Sequence, residues 1–203
     1  EPCKASVTIR DQIIDTADRL FYEHGYAPTS FSHIADAVGI SRGNFYYHFK
    51  TKDEILDAVI DLRLVRTRQM LDDWGAQVDD PAERIRLFVE ILLRNQDKIM
   101  RHGCPVGSLC QELAKLDHAA QGRAGGVMAL SAEWLREQFE RLGCGDHSAR
   151  FALHLLGRTQ GVAALANAFG DPAYVRQEVE LMSEWVRSCA PTFPSRARRR
   201  ANA

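Results

Sequence analysis

No stretch of this 203-residue chain approaches the roughly 18 consecutive apolar residues of a membrane-spanning helix, and no leader-like segment opens it. A membrane role is therefore not expected. Charge of one sign is also missing: 26 Lys and Arg face 27 Asp and Glu, for a net charge of −1. That balance argues against a polycation that holds nucleic acid by releasing many counterions. Residues 1–52 alone hold six basic and six acidic side chains, so any nucleic-acid contact there must come from placement rather than excess. The five cysteines (3, 104, 110, 144 and 189) form no CxxC pair and are odd in number. This points to a reduced, cytoplasmic protein rather than a disulfide scaffold. No Gly-rich phosphate loop or nucleophile–base motif is found, and His102, Cys104, Cys110 and His118 match no standard metal spacing. His24, His33 and His147 read as surface residues at helix ends. No enzyme, cofactor or metal site is expected.

Strand-like alternation is absent as well, and helical periodicity fills the chain instead. Hydrophobic content of 45% is ordinary for a chain with a sizeable core. From Thr8 to His24 the residues Ile9, Ile13, Ala17, Leu20 and Phe21 form one stripe, which Gly25 ends. Two short helices follow within 29–48. Thr51-Lys52-Asp53-Glu54 reads as a capping box that opens a fourth helix, to Asp73 or Trp74. Asp80-Pro81-Ala82-Glu83 opens a fifth, running to about His102 and burying Ile85, Phe88, Leu92 and Ile99. Gly103 to Gly107 breaks the pattern, and Ser108 is expected to cap a short sixth helix. Three more are expected over 121–142, 147–169 and 172–189. The fold class is thus all-α with nine helices. A bundle of three over 1–52 precedes a larger helical body over 53–190, and the basic tail over 191–203 is expected to be disordered.

The most informative segment is 29–54, TSFSHIADAVGISRGNFYYHFKTKDE. Ile34, Ala35 and Val38 recur at helical spacing, with Thr29 and Ser30 available to cap the start. Gly39 then permits a tight reversal, and Ser41 caps a second helix from Arg42 to about His48. Phe45 and Phe49 lie four apart and face inward. Arg42, Gly43, Asn44, Tyr46, Tyr47 and His48 are left outside, with guanidinium, amide, phenol and imidazole donors suited to a DNA major groove. The plain alternative is that both tyrosines pack and the rest is solvated surface.

The run Ile34-Ala35-x3-Gly39-x-Ser41-x-Gly43-x-x-Tyr46-Tyr47-His48-Phe49-x3-Lys52-x3-Leu56 resembles the signature of TetR-family transcriptional regulators. The resemblance covers about the first quarter of the chain. Phe45 stands where an aliphatic is more usual, and Ser30 where a second Thr is common. It implies a helix-turn-helix repressor in which Thr29 and Ser30 meet a phosphate and Ser41, Arg42 and Gly43 approach backbone and base edges. Asn44 has the amide to pair with adenine and Arg42 the fork to pair with guanine. Tyr46, Tyr47 and His48 would touch phosphates or thymine methyls, and Lys52, at a helix start, a phosphate. The resemblance further implies a ligand cavity within helices four to eight and a tilt of the fourth helix as the transmitting motion.

A short reading helix needs a second copy. Phe151, Leu155, Val162, Leu165 and Phe169 on one late helix, and Val175, Val179, Met182 and Val186 on the next, make stripes for a two-fold homodimer on a pseudo-palindromic operator. The competing reading is that they pack inside the monomer. Candidate ligand contacts are Trp74, Phe88, Leu92, Met100, Leu109, Leu113, Met128, Trp134 and Phe139. His102, Gln111, His154, Arg158, Gln160 and Asn167 are the polar side chains on the same faces. Cys104, with Cys110, is a candidate redox or electrophile sensor, since it stands beside His102 and just before a helix start. The alternative is two small buried hydrophobes.

Overall fold

The computed structural model describes residues 8–189, which form nine helices. The 191–203 tail and Cys3 lie outside the described residues. Thr8 caps α1 (Ile9–His24) in a reciprocal box with Asp11. Ser30 caps α2 (Phe31–Val38), its hydroxyl accepting from the His33 N–H while the His33 ring accepts from the Ser30 N–H. Gly39, at φ +80°, makes the reversal that a side chain would strain. Ser41 then caps α3 (Arg42–His48) by accepting from the Asn44 N–H.

α4 (Lys52–Gln77) runs three residues past its expected end. Its start is only half the expected box: Thr51 accepts from the Glu54 N–H, but the Glu54 carboxylate reaches one residue further, to the Lys50 N–H at 2.7 Å. Buried Arg84 closes the other end by donating to the carbonyls of Gly75 and Val78. α5 is a run of three segments, Pro81–Val89, Ile91–Arg94 and Gln96–His102. At its second break the Asn95 amide donates to the Ile91 carbonyl, the side-chain-to-backbone competition that bends helices at Asn.

α6 (Pro105–Lys115) starts earlier than the sequence suggested. Cys104, not Ser108, is its cap: the thiol sulfur accepts from the Gly107 N–H at 3.4 Å, and Pro105 takes the first helical position. Ser108 sits inside the first turn and donates to the Cys104 carbonyl. α7 (Gln121–Arg141), α8 (Ser148–Phe169) and α9 (Pro172–Cys189) complete the chain.

Two apolar clusters result. The first joins Ile13, Ala17, Phe21, Ile34, Phe45 and Phe49 to Ile55, Leu56, Val59 and Ile60 of α4 and Leu109 and Leu113 of α6. The second gathers Leu71 and Trp74 of α4 with α5, α7, α8 and α9. Burying each such side chain contributes about 1.5–3 kcal/mol. α4 and α7 therefore contribute to both clusters and α6 to the first, so the N-terminal bundle is cemented well beyond residue 52.

Six residues expected at a dimer surface are instead core: Leu155, Val162, Val175, Val179, Met182 and Val186 are all buried within the chain. Phe151 is half-buried against Phe139 and Trp185. Only Leu165 and Phe169 of that set face outward. Once α5 and α7 cover one side of α8 and α9, the larger apolar stripe is the inner one.

Candidate nucleic-acid interface and ligand cavity

Phe45 and Phe49 anchor α3 from below, Phe45 against Phe31 at 5.2 Å between ring centres and Phe49 beneath the Arg10 guanidinium. This leaves Ser41, Arg42, Gly43, Asn44, Tyr46 and Tyr47 exposed and His48 half-exposed, with Tyr47 at 79%. Tyr46 divides its surface: its ring packs edge-on against Phe31 at 5.5 Å while the side chain remains 46% exposed. Gly43 is informative. A Cβ there would meet nothing nearer than the Ser41 hydroxyl at 4.0 Å, so the fold does not require glycine. Glycine inside a helix costs about 1 kcal/mol relative to alanine, and packing within the chain does not account for it.

The charge neutrality of 1–52 hides a segregation. Residues 37–52 carry Arg42, Lys50 and Lys52 and no carboxylate, while Asp11, Asp15, Asp18 and Glu23 sit on α1.

Two expected contacts take internal roles. Thr29 is buried, its hydroxyl donating to the Gly25 carbonyl at 2.7 Å, so it braces the loop before α2. Lys52 lies over the Tyr26 ring at 4.2 Å and donates to the Ala27 carbonyl at 3.0 Å. Partial burial holds its pKa below the ordinary lysine value.

The same loop carries contacts that no local pattern announces. Glu112 of α6 accepts from the N–H groups of Tyr26 and Ala27, each at 2.8 Å. The Tyr26 hydroxyl donates to Asp53 at 2.6 Å, and the His118 ring lies 3.3 Å from the same carboxylate. These partners hold Asp53 below the usual carboxylate range, the Tyr26 hydrogen bond foremost.

Behind this interface a cavity of about 390 Å³ opens between α4, α5, α6, α7 and α8. Phe88, Leu92, Met128 and Gln160 of the expected set line it, joined by Tyr22, Met70, Ile99 and Leu156. The others lie elsewhere. Leu109 and Leu113 are core under the N-terminal bundle, and Gln111 is exposed. Trp74 and Trp134 pack on each other, with Trp134 against Phe88. Met100 and Phe139 pack in the second core, the Asn167 amide donates to the Met100 carbonyl, and His102 rests against Tyr22. His154 and Arg158 lie on the outer side of α8, with Arg158 paired to Glu178 at 2.8 Å.

Cys104 lines the cavity. The turn that holds it is gripped from both sides: Tyr22 of α1 donates to the Gly103 carbonyl at 2.8 Å, and Arg63 of α4 to the Pro105 carbonyl at 2.6 Å. Burial pushes the Tyr22 phenol up to about 12. Cys110 packs against the first core, and burial raises its thiol pKa.

Residues 13–59 match the family model described as bacterial regulatory proteins, tetR family. The regulator TtgR of Pseudomonas putida (strain DOT-T1E) is 35% identical over 106 residues, covering 47% of this chain and 50% of that protein. The regulator AcuR of Cereibacter sphaeroides is 28% identical over 179 residues, 84% of this chain and 77% of that one. The matches to the first relatives span about half of their length. A TetR transcriptional regulator from Legionella pneumophila superposes with a TM-score of 0.79 at 22% identity, covering 91% of this chain and 99% of that one, which speaks to the fold. No helix among the described residues is long and apolar enough to cross a membrane. The matched segment contains the helix-turn-helix and the start of α4, and residues 13–59 form a helix-turn-helix domain of the TetR family of bacterial regulatory proteins.

Proposed function

We propose that this chain is a cytoplasmic, homodimeric repressor that binds a pseudo-palindromic operator and is released by a small hydrophobic or amphipathic inducer. The observation that carries the reading is α3: two phenylalanines hold it from below, and Arg42, Asn44 and Tyr47 stand outward beside a glycine the fold does not need. Residues 1–52 supply the DNA contacts, and 53–190 supply the cavity and the second copy's docking face. For that face the support is the exposed flank of α8 and α9, where Leu153, Leu165, Phe169 and Leu181 are open to solvent.

Anisotropy titration against the DNA upstream of the protein's own gene tests the reading. Asn44→Ala combined with Tyr47→Ala is expected to weaken binding by about 30-fold to 10⁴-fold, at about 1–3 kcal/mol for each of the two lost contacts, with unchanged thermal stability. Selective binding that survives the double substitution would overturn the assignment of α3 as the reading helix.

A second reading of the switch rests on the position of Cys104 at the cavity wall and at the start of α6. An activated alkene in the cavity would bond to the sulfur at its β-carbon, its C=C π bond opening as the thiol proton leaves to water and water returns a proton to the α-carbon. The adduct would remove the cap on the Gly107 N–H. Cys104→Ser keeps a capping oxygen and is expected to abolish DNA release by N-ethylmaleimide while leaving operator affinity intact. Release that persists in Cys104→Ser eliminates this switch.

A further inference from the structure

We infer that the ligand taken up by the cavity is an amphiphilic carboxylate, its chain among Met70, Phe88, Leu92 and Met128 and its head at Lys98, beside the start of α6. The inference rests on the cavity being the inducer site and adds the chemistry of the inducer. The cavity does not end at its apolar wall. It opens into a cleft of about 720 Å³ between α1, α4 and α5, and Arg66, Thr67, Lys98 and Pro105 line both.

The charges at this junction are unequal. Asp18 is the one carboxylate that lines the cavity among the described residues, and it is engaged: Arg63 holds it at 2.6 Å and Arg66 lies 3.6 Å away. Lys98 has no carboxylate within ion-pair distance among the described residues, and Arg101 faces the cleft beside it. The start of α6, at Pro105 and Val106, borders the same opening and adds the positive end of a helix dipole. Arg66 is held by Asp15 at 2.5 Å as well as by Asp18, so the unpaired charge in the cavity wall is the Lys98 ammonium, which an incoming anion meets without displacing a carboxylate. Inside the cavity an incoming cation meets one acid, Asp18, that two arginines already neutralise, while Asp15, Glu23 and Asp97 line only the outer cleft.

Further in, the hydroxyls are turned away. Tyr22, Ser131 and Thr159 each donate to a backbone carbonyl, of Gly103, Val127 and Leu156. A sugar or nucleoside finds few free donors inside, whereas a hydrocarbon chain finds aromatic, thioether and aliphatic surface.

Displacement of Nile red from the full-length protein tests this with decanoate, octanoate, decanol and decyltrimethylammonium. Decanoate is expected to compete, about fourfold more tightly per methylene than octanoate, since each buried methylene contributes about 0.8 kcal/mol. Decyltrimethylammonium should bind at least about tenfold more weakly, because its charge meets the unpaired Lys98. Lys98→Glu should weaken decanoate about tenfold and leave decanol unchanged. Equal competition by decyltrimethylammonium or decanol, or no effect of Lys98→Glu, overturns the carboxylate assignment. Met128→Trp, which fills the wall, separates the two levels. If it abolishes dye binding while decanoate fails to compete with wild type, the cavity reading survives and the carboxylate fails. If dye binds the variant unchanged, the cavity reading itself fails.

Discussion

Glu112→Ala is expected to lower the melting temperature by about 6–12 °C and to weaken operator binding with it. One carboxylate receives two backbone N–H groups, from Tyr26 and Ala27, at 2.8 Å each. Hydrogen bonds to a charged acceptor contribute about 1.5–3 kcal/mol each, so the pair is worth about 3 kcal/mol after allowing for partial exposure. For a domain of this size one kcal/mol moves the melting point by about 2–4 °C. The consequence for DNA is geometric. The loop held by Glu112 carries Thr29, whose hydroxyl braces Gly25, and leads into the Ser30 cap of α2. Loosening it frees the helix against which α3 packs. Glu112→Gln retains one acceptor and should show roughly half the loss. Arg86→Ala, which removes the surface pairs with Glu83 and Glu90, is the control and should cost less than about 0.5 kcal/mol. Calorimetry showing the same melting point for Glu112→Ala and Arg86→Ala would remove Glu112 from this role.

This clamp also suggests how a ligand communicates with the DNA heads. α6 begins at the cavity with Cys104 and Pro105 and ends near the loop that Glu112 holds. α4, expected from the family resemblance to tilt, is tied to the same places through Arg63 at the cavity and Lys52 at the loop. A ligand that shifts the Cys104 turn acts on both helices at once. Gly107 marks the tightness of this region. A Cβ there would lie 2.6 Å from the Gln160 amide oxygen of α8, so α6 and α8 are packed backbone to side chain just below the turn.

How much of this was legible in the sequence depends on the range of the interaction involved. Local chemistry read well: the Ser30 and Ser41 caps, the Gly39 turn and the inward Phe45 and Phe49 all follow from neighbours within four residues. The shifted start of α6 is a local failure. Cysteine is an uncommon cap, and Ser108 offered a more familiar one. The cavity was legible only in part, because an apolar residue such as Leu109 or Leu92 carries the same signal whichever core it enters. Which of them faces empty space is decided by helices far apart in the chain. Glu112 and Tyr26 are separated by 86 positions, and nothing near either residue announces the other. The stripes of α8 and α9 were legible as stripes but not as inside or outside. Both flanks are apolar, and the more continuous one went to the core.

The outer flank then supports the strongest test of assembly. Leu153, Gly157, Gly161, Ala164, Leu165 and Ala168 recur along the exposed side of α8, with Phe169 68% exposed at its end and Leu181 exposed on α9. A Cβ at Gly157 or Gly161 meets nothing within 4 Å, so the isolated chain has no steric use for glycine at either position. Each costs the helix about 1 kcal/mol, and close approach of a second backbone across the two-fold axis is the compensation we infer. Gly161→Arg should therefore leave the monomer fold intact, or slightly more stable, while placing a long cation where the partner helix must lie. Sedimentation velocity is expected to show a shift from dimer to monomer. Operator affinity is expected to fall by about 10³-fold, toward the non-specific level left to a single reading helix. A Gly161→Arg variant that stays dimeric would place the contact on another face, and a wild-type monomer at micromolar concentration would dispose of the two-copy operator as well.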